Sequence, residues 1–152
     1  MGRMFARVGK PPILASSAMA LAAILALALF LFLPYVPRGA IGLAYRFVGD
    51  LREGRTGDAY ELTDKGFDVG KDVRAFAANE DVVYLSSSRH PARMEWAKPA
   101  QSRARRIARI LRRIRAEPEV VLVDFDVGLP FLVRLRRAGG VWAVSYFEVH
   151  AE

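Results

Sequence analysis

The sequence predicts an α+β protein: one N-terminal transmembrane helix, then a small extracytoplasmic domain of short helices packed on a curved antiparallel sheet. Residues 13–33 form an apolar stretch with no charged side chain. Residues 44–115 repeatedly place apolar residues three and four apart, and residues 119–149 hold β-rich runs separated by glycine turns.

At about 1.5 Å per residue, the apolar stretch covers the roughly 30 Å hydrocarbon core of a bilayer. Its polar side chains are the hydroxyls of Ser16 and Ser17, so it lacks the charged face of an interfacial helix. A cleaved signal peptide competes, with Arg3, Arg7 and Lys10 as its positive start. The run is longer than the usual apolar region of about 7–15 residues, and Ala40 has Arg38 where cleavage needs a small residue. The reading is therefore an uncleaved single-pass signal-anchor. The basic residues 1–12 stay in the cytoplasm, 13–33 span, 34–43 link, and 44–152 lie outside the cytoplasmic (inner) membrane of a bacterium, whose usage the Ala- and Arg-rich composition suggests.

Residues 44–152 suffice for one small domain with one core. The net charge of +7 points to an acidic partner, which outside a membrane means anionic lipid, wall polymer or an acidic protein face rather than nucleic acid. The chain has no cysteine, which removes disulfides, thiolate nucleophiles and Cys-based metal sites.

In chain order, Ala44, Phe47, Val48 and Leu51 share one helix face. Gly54 and Gly57 interrupt it. Thr56 or Asp58 then caps a short helix carrying Ala59, Tyr60 and Leu62, which Gly66 ends. A third helix is expected within 68–80 around Val73, Phe76 and Ala77, starting at Asp72. Val82, Val83, Tyr84 and Leu85 are β-prone and bounded by Ser86, Ser87, Ser88 and Pro91, so a short strand is expected there, and 92–96 pairs as another.

Residues 99–115 are the most periodic soluble segment, with Ile107, Ile110, Leu111 and Ile114 forming one oily face. Arg103, Arg105, Arg106, Arg109, Arg112, Arg113 and Arg115 cover the rest without an intervening acid. Like charges at helical neighbours repel, so something acidic is expected to neutralise them, most simply the carboxylates between Asp50 and Asp81. An acidic partner protein and anionic lipid are the alternatives.

The final third reads as an antiparallel meander of 119–127, 131–137 and 141–149. Gly139-Gly140 suggests a two-residue hairpin pairing Ala138 with Val141 and Leu135 with Val144. With Gly128, Leu129 and Pro130 as a loop, Val127 faces Phe131. The core face becomes Val121, Val123, Phe125, Val127, Phe131, Val133, Leu135, Trp142, Val144 and Tyr146. Phe147 falls on the opposite face, where Asp124 lies beside Arg134.

Short helices feeding a curved sheet, with the helix text AYRFVGDLREGRTGDAYELTDKGF and the closing strand GGVWAVSYFEV, resemble the NTF2-like superfamily of cone-shaped α+β domains. The resemblance covers 44–149, and the helix 99–115 between strands departs from its simplest layout. It implies a pocket at the concave sheet face, with Tyr84, Trp142 and Tyr146 as candidate lining. Catalytic members place an Asp–His or Tyr–Asp pair there, and Tyr84, His90, Asp124, Asp126, Tyr146 and His150 supply those residue types here without a matching motif.

Asp124 and Asp126 point the same way along one strand, as acid/base carboxylates do, but a solvated strand face with a cross-strand Asp124–Arg134 pair is the preferred reading. His90 and His150 lack further ligands at useful spacing, so no metal is expected. Ser86, Ser87 and Ser88 have no nucleophile elbow, and no nucleotide-binding glycine motif occurs, so no cofactor is expected. The sequence thus points to a membrane-anchored, non-catalytic accessory or interaction domain. It would be a small subunit or assembly factor contacting an acidic membrane protein or anionic lipid through Arg103, Arg105, Arg106, Arg109, Arg112 and Arg113. The alternative is a binding module for a lipid or apolar small molecule.

Overall fold

A computed structural model describes residues 13–99, 102–113 and 120–150. Helix α1 (Ile13–Phe32) belongs to a unit of its own, Met1–Leu33, and Pro34–Glu152 form the second unit. The described side chains of α1, over 18–32, are apolar and mostly exposed, Met19, Leu21, Leu25 and Phe32 among them. Among the described residues no helix is long and apolar enough to cross a membrane. This corrects the expected transmembrane helix over 13–33 and the single-pass signal-anchor built on it. The topology read from Arg3, Arg7 and Lys10 rested on that span, and these residues lie outside the described ones.

The second unit is α+β. Helices α2 (Arg38–Arg52), α3 (Thr56–Glu61), α4 (Val73–Ala77) and α5 (Glu80–Ser87) precede strand β1 (Arg93–Pro99). Helix α6 (Arg103–Leu111) then leads to β2 (Val120–Asp126), β3 (Pro130–Ala138) and β4 (Val141–Val149). The strands form one antiparallel sheet in the order β1-β2-β3-β4. The expected helix over 99–115 is shorter, because Pro99 closes β1 and the Ser102 side chain caps α6 by accepting from the Arg105 amide. Residues 100, 101, 114 and 115 lie outside the described residues.

α2 buries Ala44, Phe47, Val48 and Leu51 on the stripe expected from their spacing, and Ala40 and Asp50 besides. The expected strand over 82–85 is instead part of α5. Asn79 caps it by accepting from the Asp81 amide at 2.8 Å, and Val82 and Leu85, three apart, turn into the core. The β-branched pair Val82-Val83 yields here to the cap and to docking.

In the sheet, the Gly139-Gly140 hairpin pairs Ala138 with Val141 as expected, with both glycines at positive φ (+59° and +98°). The β2–β3 register is displaced by two: Phe125, not Val127, faces Phe131, and Asp124 faces Leu132 rather than Arg134. A two-residue displacement keeps every side chain on its face. A bulge between Arg134 and Leu135 does not, for beyond it β4 turns Phe147 inward and Tyr146, opposite Arg134, outward. Phe147 lies at the centre of the core, its ring centroid 5.4 Å from Phe47, 5.6 Å from Phe76 and 6.2 Å from Phe131. The outer edge of β4 is covered in part by Leu62 to Asp64, which exchange backbone hydrogen bonds with Val144, and by Asp81, whose carboxylate accepts from the Val149 amide.

Candidate functional site

Helix α6 is placed with Arg103, Arg106 and Arg109, rather than its apolar stripe, toward the protein. On a helical projection Ile107, Ile110 and Leu111 fall within an arc of about 100°, an amphipathic stripe that ordinarily faces a core. None of the residues of α6 is buried, and Ile107, Ile110 and Leu111 are 40%, 57% and 78% exposed. Arg103, Arg106 and Arg109 are instead half-buried. The Arg106 guanidinium lies over the Tyr35 ring at 4.2 Å, and Ser102 bridges to Pro34. Arg105, Arg112 and Arg113 are exposed.

Most of the acids expected to neutralise this face have partners elsewhere. Arg55 pairs with the buried Asp50, with Glu53 and with Asp58. Glu61 binds Lys65, the Asp64 carboxylate accepts from the Gly66 amide, Asp72 caps α4, and Asp81 takes the Val149 amide. The Lys65 ammonium is held above its ordinary pKa by its hydrogen bond to Glu61.

Beside the first turn of α6, Pro34, Tyr35, Val36, Arg38 and Arg103 line an open depression of about 550 Å³. Arg38 is the first residue of α2 and Arg103 the first of α6. A helix N-terminus carries the positive end of the macrodipole, so a cation there is unfavourable by a few tenths of a kcal/mol. Two helices thus start on guanidiniums that line one depression, an arrangement that an anion between them would relieve.

The other expected site residues are scattered. Trp142 packs against the core at the hairpin end of β4, its ring 3.6 Å from the Cβ position of Gly39. Tyr84 also packs on the core, from α5, which meets β4 at its far end through Asp81 and Val149. Tyr146 lies on the opposite sheet face and donates its hydroxyl to Glu148, which with desolvation pushes the phenol pKa up to about 12. Tyr84 and Trp142 thus lie on the core side of the sheet and Tyr146 on its other face. Asp126 is exposed and accepts from the Gly128 amide, a local turn contact.

Asp124 is the exception on its face, being 6% exposed with its Oδ1 lacking a hydrogen-bond partner. Burial raises its pKa, the Glu95 carboxylate adds to the rise, and His150 opposes it. Cross-strand neighbours Trp96 and Leu132 flank it. His150 pairs with Glu148 at 3.1 Å, whereas exposed His90 sits under Gly128 in a separate loop. Ser88 donates to the Val127 carbonyl, and Ser86 and Ser87 donate to carbonyls three residues back in α5. Among the described residues no group of three or more His, Asp or Glu could hold a metal ion. Sequence reasoning missed Tyr35 and Arg38, which have no periodic signal and acquire meaning only when α6 folds back onto them.

The chain matches no family model, no curated protein and no solved structure. The functional reading therefore rests on the geometry.

Proposed function

We propose that this protein is a non-catalytic interaction domain, a small accessory subunit or assembly factor, that docks an acidic partner through α6. The observation that carries the proposal is the outward-facing apolar stripe of α6, with Leu111 78% exposed while Arg106 is held against Tyr35. A helix that leaves its oily stripe in water is unfavourable by about 25 cal/mol per Å² of apolar surface, which a docked partner would recover. The exposed Arg105, Arg112 and Arg113 favour acidic groups on whatever covers the stripe. The same proposal reads the helices-first, meander-last order as NTF2-like. Against a ligand-filled cone stands the packing of Phe47, Phe76, Phe131 and Phe147 between helices and sheet.

The test is isolation of the tagged full-length chain from its native source in mild detergent, beside a variant with Arg105, Arg112 and Arg113 changed to Glu. These exposed arginines lie away from the core, so the variant should keep its thermal midpoint. A stoichiometric acidic companion, or co-isolated anionic lipid, that the variant loses is the expected result. Identical associations for both proteins would overturn docking through α6.

A further inference from the structure

We infer that what α6 docks onto is the surface of an anionic lipid bilayer, an inference that rests on α6 being the docking surface. In this arrangement α6 lies in the plane of the headgroup–acyl boundary, with Ile107, Ile110 and Leu111 toward the acyl chains and Arg105 and Arg112 at the headgroups. The depression lined by Arg38, Arg103 and Tyr35 receives a headgroup phosphate.

Two features favour lipid over an acidic protein. The first is the division of α6 itself. Its nine residues hold a compact apolar arc and four arginines, the combination of a charged face, a narrow oily face and low net hydropathy that marks interfacial helices. Arg105 and Arg112 fall on the side of the helix opposite the stripe, where they meet headgroup phosphates while the stripe meets acyl chains. A protein covering the stripe would have to reach around the helix to place acids there, whereas an anionic bilayer presents phosphates in every direction around an inserted helix.

The second feature is the depression. Arg38 and Arg103 begin two different helices and share one open hollow with the half-buried Tyr35. The amide groups of the first turn of a helix and its dipole both favour an anion at that end. A lipid phosphate carried at the depth of the headgroups meets both starts while the neighbouring turns of α6 take up acyl contacts.

The absence of cysteine makes the test clean, because one introduced thiol can be labelled alone. The full-length chain carrying Leu111→Cys and an environment-sensitive dye is added to phosphatidylcholine vesicles with and without phosphatidylglycerol. Lys71→Cys, exposed just ahead of α4, carries the same dye as the off-site control. The expected result is a blue shift and quenching by brominated acyl chains for the Leu111 label on phosphatidylglycerol vesicles alone, with the Lys71 label unchanged throughout. Changing Arg105, Arg112 and Arg113 to Gln should weaken that charge-dependent binding by about a hundredfold. Arg3, Arg7 and Lys10 precede α1 and add a charge dependence of their own, so α6 is tested by the Leu111 label against the Lys71 label and not by total binding.

A Leu111 label that stays in water on phosphatidylglycerol vesicles, or that shifts equally on both lipids, overturns the inference. If it stays in water on vesicles but is covered by a stoichiometric companion protein, the lipid assignment fails and docking through α6 stands. If neither vesicles nor a companion covers it, both fail.

Discussion

Exchanging the roles of two adjacent side chains tests the bulge that sets the end of β4. Alternation from the Gly139-Gly140 hairpin without a bulge puts Tyr146 inside and Phe147 outside, and the bulge between Arg134 and Leu135 reverses them. Phe147 is 3% exposed and its ring meets those of Phe47, Phe76 and Phe131 at 5.4 to 6.2 Å. Truncating a core phenylalanine costs about 3–5 kcal/mol. Three ring neighbours, each pair adding roughly 0.5–1.5 kcal/mol beyond its buried area, place Phe147→Ala near about 4 kcal/mol. Against a total stability of about 5–15 kcal/mol this is a large fraction, and it corresponds to a fall in Tm of about 15–20 °C for a unit of this size. Tyr146→Ala removes a hydrogen bond to Glu148 on a half-exposed face and should cost about 0.5–1 kcal/mol. Urea unfolding of the full-length chain, followed by the fluorescence of Trp96 and Trp142 on β1 and β4, measures both. Equal costs, or a larger loss for Tyr146→Ala, would falsify the register described for β4.

Two further substitutions probe buried charge and backbone strain. The pKa of Asp124 is raised in the folded state, chiefly by burial. Between the unfolded value and the folded one the native state holds the extra proton, so stability falls as pH rises through that window and the deficit persists at neutrality. Asp124→Asn should therefore be more stable than wild type at pH 7, by on the order of 1 kcal/mol for relief of a poorly satisfied buried charge, with the charge-dependent part of that gain disappearing below the unfolded carboxylate value near pH 4. A variant-minus-wild-type difference that stays flat from pH 3 to 7 in denaturant titrations would exclude this. Gly128 sits at φ +98°, and a Cβ there would lie 2.7 Å from His90 Cδ2, so Gly128→Ala should cost about 1–3 kcal/mol. His90→Ala in the same chain should return only the steric share, leaving the cost of the positive φ, and a double-mutant cycle of urea midpoints separates the two.

What the sequence carried and what it did not divide along a physical line. Properties local to one segment were legible: the α2 stripe of Ala44, Phe47, Val48 and Leu51, the Asp72 cap, the glycine hairpin and the existence of α6 all follow from spacing and turn chemistry. Properties that belong to a pair of segments were not. The bulge opposite Arg134 is a relation between β3 and β4, and nothing in GGVWAVSYFEV alone states where an extra residue is accommodated. Helix α5 was misread because Val82 to Leu85 favour a strand in isolation, while the Asn79 cap and a place beneath β4 favour a helix in the fold. α6 is the sharpest case. Periodicity names the residues that share its oily face, and the ordinary expectation turns that face inward. Its orientation is settled instead by contacts with a stretch about seventy residues earlier, Arg106 over Tyr35 and Ser102 against Pro34, with Arg103, Arg106 and Arg109 half-buried and Ile110 and Leu111 left exposed. The site was therefore legible as a set of residues but not as a surface, because a period records which side chains lie together and a surface depends on what the rest of the fold leaves uncovered.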